Sequence, residues 1–178
     1  MTNKFPKRVI AVDPFSRGVG FAVLEGPKCL IDWGLKATVK ADNARAVRVI
    51  EALIKRFQPD LLALEDWAAD DTRRCRRVER LLNRIAASER KHIQVRLVGR
   101  HDLRSIGPLP QASTKHGRAC LLAERFPELA PFLPPFRKAY MPEDARMAIF
   151  DAVNFGVACF PQKAGAAEQT DQAATQIP

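Results

Sequence analysis

Two short apolar runs in this chain each close on a carboxylate. Arg8 to Asp13 (RVIAVD) is β-branched and apolar until its last residue, and Leu61 to Leu64 (LLAL) runs into Glu65-Asp66. Mixed and parallel sheets bind ligands in the crevice at the carboxyl ends of their strands, so Asp13 and Glu65 converge if these two strands are neighbours. A third acid is expected from the last helix, through Asp144 or Asp151, which lie seven residues apart and can face one side of a helix. Carboxylates crowded together repel one another unless cations bridge them. Hard oxygen ligands of this kind suit Mg²⁺ or Mn²⁺. In a two-metal site one ion activates an attacking water and the other stabilises the leaving oxygen of a phosphodiester. Taken singly, each acid also has an ordinary explanation, since Asp-Pro is a common turn pair and Glu65-Asp66 is an unremarkable strand end.

The elements that must position these acids are legible from periodicity. After RVIAVD, a turn at Pro14 to Gly18 leads to a second strand, Val19 to Leu24, and Lys28 to Leu35 reads as a third. From Asn43 to Phe57 the apolar residues recur at helical spacing, with Asp42 or Asn43 as N-cap and Pro59 as the stop. LLAL has no polar alternation and predicts a strand buried on both faces. A second helix capped by Asp70 or Asp71 and running to Glu89, a strand from Ile93 to Val98, and a helix from Ser113 to Phe126 follow. Pro127 to Pro135 reads as a loop, and Pro142-Glu143-Asp144 starts a last helix reaching Phe160. A three-strand meander followed by alternating helices and strands predicts an α/β mixed sheet with helices on its faces. One domain over residues 1–160 is expected, and the Ala-, Gln- and Thr-rich stretch 161–178 reads as a disordered tail.

The bulk properties point to a partner. The chain has 178 residues, 29 basic and 20 acidic, giving a net charge of +9. That excess favours a polyanion. The charges cluster: Arg73, Arg74, Arg77, Arg80 and Arg84 lie along the second predicted helix, and Arg104, Lys115 and Arg118 follow the last predicted strand. A phosphate backbone would relieve the repulsion among them and release counterions, so these eight are the candidate nucleic-acid contacts. No run of about 18 apolar residues exists, which argues against a membrane partner. The polar, basic start has no signal-peptide core, so a cytoplasmic location is expected. The four cysteines are scattered with no zinc-type spacing.

Val9 to Leu24 (VIAVDPFSRGVGFAVL) resembles the opening of the RuvC-type Holliday-junction resolvases, an apolar strand, a D-P-G-S turn and a second strand. Pro59 to Glu65 (PDLLALE) is similar to that family's second motif, which closes on a catalytic Glu, and TKHGRA at 114–119 to its later basic stretch. Asp151-Ala152 in FDAVNFGVA resembles its final helix. Two departures stand out: Phe15 occupies a position where the family prefers Gly, and the family's pair of Asp three apart is broken, since Ala148 precedes Asp151 and Asn154 follows it. The resemblance implies an RNase H-like five-stranded mixed sheet flanked by helices, and Mg²⁺-dependent cleavage of branched DNA by a homodimer. It also implies catalytic and metal-ligand roles for Asp13, Glu65 and Asp151 or Asp144, with Lys115 beside the scissile phosphate. Two other functions fit the same residues: an RNA-processing nuclease of the related YqgF type, and a non-catalytic nucleic-acid-binding module with an incomplete site.

Overall fold

Side-chain alternation decides how the sheet is dressed. In the first strand Val9 and Ala11 pack into one apolar cluster and Ile10 and Val12 into another, so both faces are covered. The computed structural model describes residues 6–38, 42–69, 74–90, 92–99, 103, 114–138 and 140–160. In chain order its elements are β1 (Val9–Phe15), β2 (Gly18–Leu24), β3 (Leu30–Ala37), α1 (Asn43–Phe57), β4 (Leu61–Glu65), α2 (Arg76–Glu89), β5 (Gln94–Val98), α3 (Lys115–Arg125), a 3-10 turn (Pro127–Phe132) and α4 (Met147–Ala158). The strands form one five-stranded sheet in the order β3-β2-β1-β4-β5. β1, β2 and β3 pair antiparallel, whereas β4 runs parallel to both β1 and β5. This is the mixed sheet with helices on both faces that the sequence predicts.

One face packs on α1 and α2. Asp42 caps α1, its Oδ1 accepting from the backbone N–H groups of Ala44 (2.8 Å) and Arg45 (3.2 Å). Gln58, in the left-handed region at φ 47°, and then Pro59 end the helix. Ala46, Val47, Ile50 and Leu53 of α1 meet Val78, Leu81, Leu82 and Ile85 of α2 over the even-numbered side chains of β1 and β4. The other face packs on α4 and α3, and here the approach is unusually close. A Cβ built on Gly20 would stand 2.4 Å from the backbone carbonyl of Ala148. Small residues at 148, 152 and 156 line the helix side that meets β1 and β2, so α4 lies almost on the sheet backbone. Gly20→Ala is therefore expected to push α4 outward and cost about 1–3 kcal/mol in urea unfolding. An unchanged midpoint would show that the helix is not held there.

The structure shifts several boundaries. β1 continues through Pro14 to Phe15, so Asp13 lies inside the strand and the turn falls at Ser16-Arg17. β3 begins and ends two residues later than expected, and Pro127 to Phe132 makes 3-10 turns instead of an open loop. α2 begins at Arg76, and its predicted caps Asp70 and Asp71 lie outside the described residues, as do Ser113 and the predicted tail 161–178. α4 begins at Met147, not at Pro142, because Asp144 Oδ1 accepts from the Arg146 N–H at 2.9 Å. A side chain that bonds nearby backbone in this way competes with helix initiation. Asp144 thus precedes the helix, and the expectation that it shares a helical face with Asp151 does not hold.

Candidate active site

The parallel register of β1 and β4 runs from Val9 opposite Leu61 to Val12 opposite Leu64, which sets Asp13 beside Glu65 at the next position. Both continue the face formed by Val9, Ala11, Leu61 and Ala63, the face that α4 covers. Asp151, in the second turn of α4, projects toward the same place, and its charge acts on Asp13. Asp13 and Glu65 are each only 2% exposed. Three of the predicted acids are thereby gathered by one strand pair and one helix.

Two protein cations compensate them. The Arg74 guanidinium bridges the pair, with Nη2 on Asp13 Oδ1 and Nε on Glu65 Oε2. Lys115 Nζ lies 2.6 Å from Asp151 Oδ2 and 2.8 Å from Glu143 Oε1. Burial nevertheless pushes the Asp13 carboxyl up to about 7. Asp151 and Glu65 add to that rise, while Arg74 and Lys115 oppose it. Burial disfavours the charge on Arg74 and on Lys115, but the carboxylates outweigh it and both are held protonated more firmly than usual. A cavity of about 400 Å³ opens beside Asp13, bordered by Phe15, Arg17, Arg74, Glu143 and Asp144.

Asp144 is at the cavity wall but is engaged elsewhere. Its Oδ2 pairs with Arg146 Nη2 at 2.7 Å, and that hydrogen bond holds its carboxyl below the usual range. Asp151 is the better-placed third acid. In a cleavage assay Asp151→Asn is expected to lose at least about 100-fold and Asp144→Asn no more than about 10-fold. The reverse order would assign the role to Asp144.

The predicted basic contacts separate into distinct groups. Arg74 precedes α2 and serves the carboxylates. Arg77 Nη2 donates to the Phe15 and Ser16 carbonyls, each at 2.8 Å, and Nη1 to Asn43 Oδ1, so it ties α2 to the β1–β2 turn. Arg80 and Arg84 are exposed on α2, and Arg118 is half-buried on α3. Arg73 and Arg104 lie outside the described residues. The expected single arginine face is therefore reduced to Arg80 and Arg84 among the described residues. Sequence reasoning missed Glu143 as the second partner of Lys115, and it missed Arg74 as the compensating charge. Neither left a local signal, since both contacts join segments far apart in the chain.

A mixed five-stranded sheet in the order β3-β2-β1-β4-β5, flanked by helices, is the RNase H-like fold. Within that class the fold is that of the RuvC-type resolvases. RuvC from Thermus thermophilus in complex with a Holliday junction substrate superposes with a TM-score of 0.57 at 15% identity, over 85% of this chain and 90% of that chain. Another structure of Thermus thermophilus RuvC gives 0.56 at 16% identity, over 85% and 92%. The yeast mitochondrial Holliday junction resolvase Ydc2 gives 0.56 at 11%, over 89% and 80%. No protein-family model matches the sequence, and no curated protein matches it.

The donor set suits a hard divalent cation in its chemistry: three carboxylates, two of them on adjacent strands. Burial is the main reason that the Asp13 carboxyl is raised to about 7, and a bound cation would favour its ionised form. Among the described residues no three acidic, histidine or cysteine side chains are drawn tightly enough together to hold an ion in this arrangement. The Arg74 guanidinium stands between Asp13 and Glu65 instead.

Proposed function

We propose that this protein is an endonuclease that hydrolyses phosphodiesters in branched or structured DNA, in the manner of a Holliday-junction resolvase, with Mg²⁺ or Mn²⁺. The observation that carries this reading is the pair Asp13 and Glu65 on adjacent parallel strands, with Asp151 of the covering helix acting on Asp13 and an open cavity beside Asp13. Two fold neighbours support it: one was solved with a Holliday junction and one is described as a Holliday junction resolvase. Asp13, Glu65 and Asp151 would hold the metal, which when bound supplies an activated water and charge stabilisation at the leaving oxygen.

The chain's own residues do the rest. Lys115, at the start of α3, holds Asp151 in position and presents a firmly protonated ammonium where a phosphate oxygen would gain charge. Burial of Asp13 and Glu65 keeps bulk water from screening the site. Arg80 and Arg84 offer phosphate contacts on α2. A homodimer would present two such sites to the two strands of a junction, and the protein would act in the cytoplasm. No helix among the described residues is long and apolar enough to cross a membrane.

The test is to incubate the purified protein with labelled four-way junction, duplex and structured RNA, with and without Mg²⁺. Metal-dependent nicking of the junction in preference to duplex is expected. Cleavage confined to RNA would instead identify an RNA-processing enzyme. A second reading, a non-catalytic nucleic-acid-binding module, is favoured by Arg74 between Asp13 and Glu65 and by Ala148 and Asn154 at the places where a further acid would stand. A salt-dependent junction shift with no product under any metal would establish it.

A further inference from the structure

A second cavity, of about 620 Å³, meets the Asp13 cavity along the segment 142–145. Arg17, Pro142, Glu143, Asp144 and Ala145 line both, so the two spaces adjoin. The second cavity is of a different kind. Its sides are flat and apolar, from Pro135, Phe136, Met141 and Met147, with the His116 ring at its edge. His116 Nε2 is 3.0 Å from the Pro134 carbonyl, and its ring meets Phe136 edge-on at 5.6 Å and 90°, which sets the plane of the phenyl ring. Phe136 is 76% exposed and Tyr140, four residues on, is 80% exposed. Large aromatics left in water this way mark a surface that something else covers.

The charge around the cavity selects the occupant. Lys115 is shared by Glu143 and Asp151, and Asp144 pairs with Arg146; Arg17 and Arg137 also border the cavity, Arg137 donating to the Met141 carbonyl, so its border carries three cations against two carboxylates. The sequence there, Phe136-Arg137-Lys138-Ala139-Tyr140, sets two basic residues between two aromatic ones. That is the composition of a platform on which bases stack while cations follow the backbone. A base inside a duplex offers no free face, so an unpaired one is required.

We propose that this cavity binds an unpaired nucleobase, stacked on Phe136, from the strand whose phosphate lies at Asp13 and Asp151. The proposal rests on the nucleic-acid reading above and names the part of the substrate that its neighbouring site selects. It gives the protein a reason to prefer strands opened near the point of cleavage.

The test measures binding in EDTA, so that cleavage plays no part, using the full chain with a labelled duplex and with the same duplex carrying one unpaired 2-aminopurine. Phe136→Ala is expected to weaken binding to the second DNA by about 5- to 150-fold, the loss of one stacked base, and to alter duplex binding less than about twofold. 2-Aminopurine emission is expected to fall on binding to the wild-type protein and to Phe136→Trp, but not to Phe136→Ala. Thermal melting of the variants checks that this exposed position leaves the fold intact. Equal losses on both DNAs, no loss on either, or unquenched emission with wild-type protein would overturn the stacking site while leaving the nuclease reading standing. Failure of the wild-type protein to bind any nucleic acid would overturn both, and would point to a protein partner for the exposed aromatics.

Discussion

Asp13→Asn is expected to abolish strand cleavage while making the fold more stable at pH 8. The two effects have one origin. Asp13 is buried, and its carboxyl, at 3.8 in an unfolded chain, is pushed up to about 7 in the folded one. Between those values the folded protein binds a proton that the unfolded chain has released, so stability declines as pH rises through that window. The decline is complete above about 7 and amounts to at most about 4 kcal/mol, at 1.36 kcal/mol per pH unit. An Asn keeps the shape and cannot ionise, so it removes the decline. Urea unfolding should show the variant close to wild type at pH 4 and more stable at pH 8. Cleavage should fall by more than the roughly 10- to 100-fold that follows loss of a group merely supporting a metal ligand. Junction binding should persist. Retained cleavage would remove Asp13 from the chemistry, and an unaltered stability profile would show that its charge is already fully offset.

Arg74→Met should produce the largest loss of stability. Arg74 is the cation shared by Asp13 and Glu65, and its removal leaves two adjacent buried carboxylates without their closest positive charge. Removing one partner of a buried pair typically costs about 3–5 kcal/mol. The cost should depend on pH in a defined direction. Without Arg74, whose charge lowers the Asp13 value, that carboxyl titrates above about 7. At pH 5 Asp13 is neutral in both folded proteins; by pH 8, one unit above the wild-type value, the cost should have grown by up to about 1.4 kcal/mol. Urea midpoints at the two values decide the matter. A loss equal at both would mean that the arginine contributes through the packing of its stem. Should the variant fold only in acid, the same titration is read from its far-ultraviolet signal.

The carboxylates and their strands were readable because their signals are local. RVIAVD and LLAL are apolar runs closed by acids, and no packing information is needed to see them. Even so, the reading of Asp13 as a strand end was wrong in detail, since β1 pairs with β2 through Phe15 and carries Asp13 in its interior. The last helix was found but begun too early. Pro, Glu and Asp form a good helix-start signal, yet Asp144 bonds the Arg146 N–H and holds a turn until Met147. The arginine cluster shows the same limit more sharply. Composition alone treated Arg74, Arg77, Arg80 and Arg84 as alike, whereas one neutralises the site, one ties down a turn, and two face solvent.

By itself, then, the sequence determined which acids close the two apolar runs, which runs become strands and helices, and that the molecule is strongly basic, because hydrophobic period and charge are properties of short segments. Only the tertiary structure decided which cation meets which acid, pairing Lys115 with Asp151 and Arg146 with Asp144. It alone placed the aromatic cavity beside the carboxylates. Those pairings join residues tens of positions apart, as with Arg74 and Asp13 or Lys115 and Asp151, and they exist only once β4 lies parallel to β1 and the small residues of α4 bring it down onto Gly20.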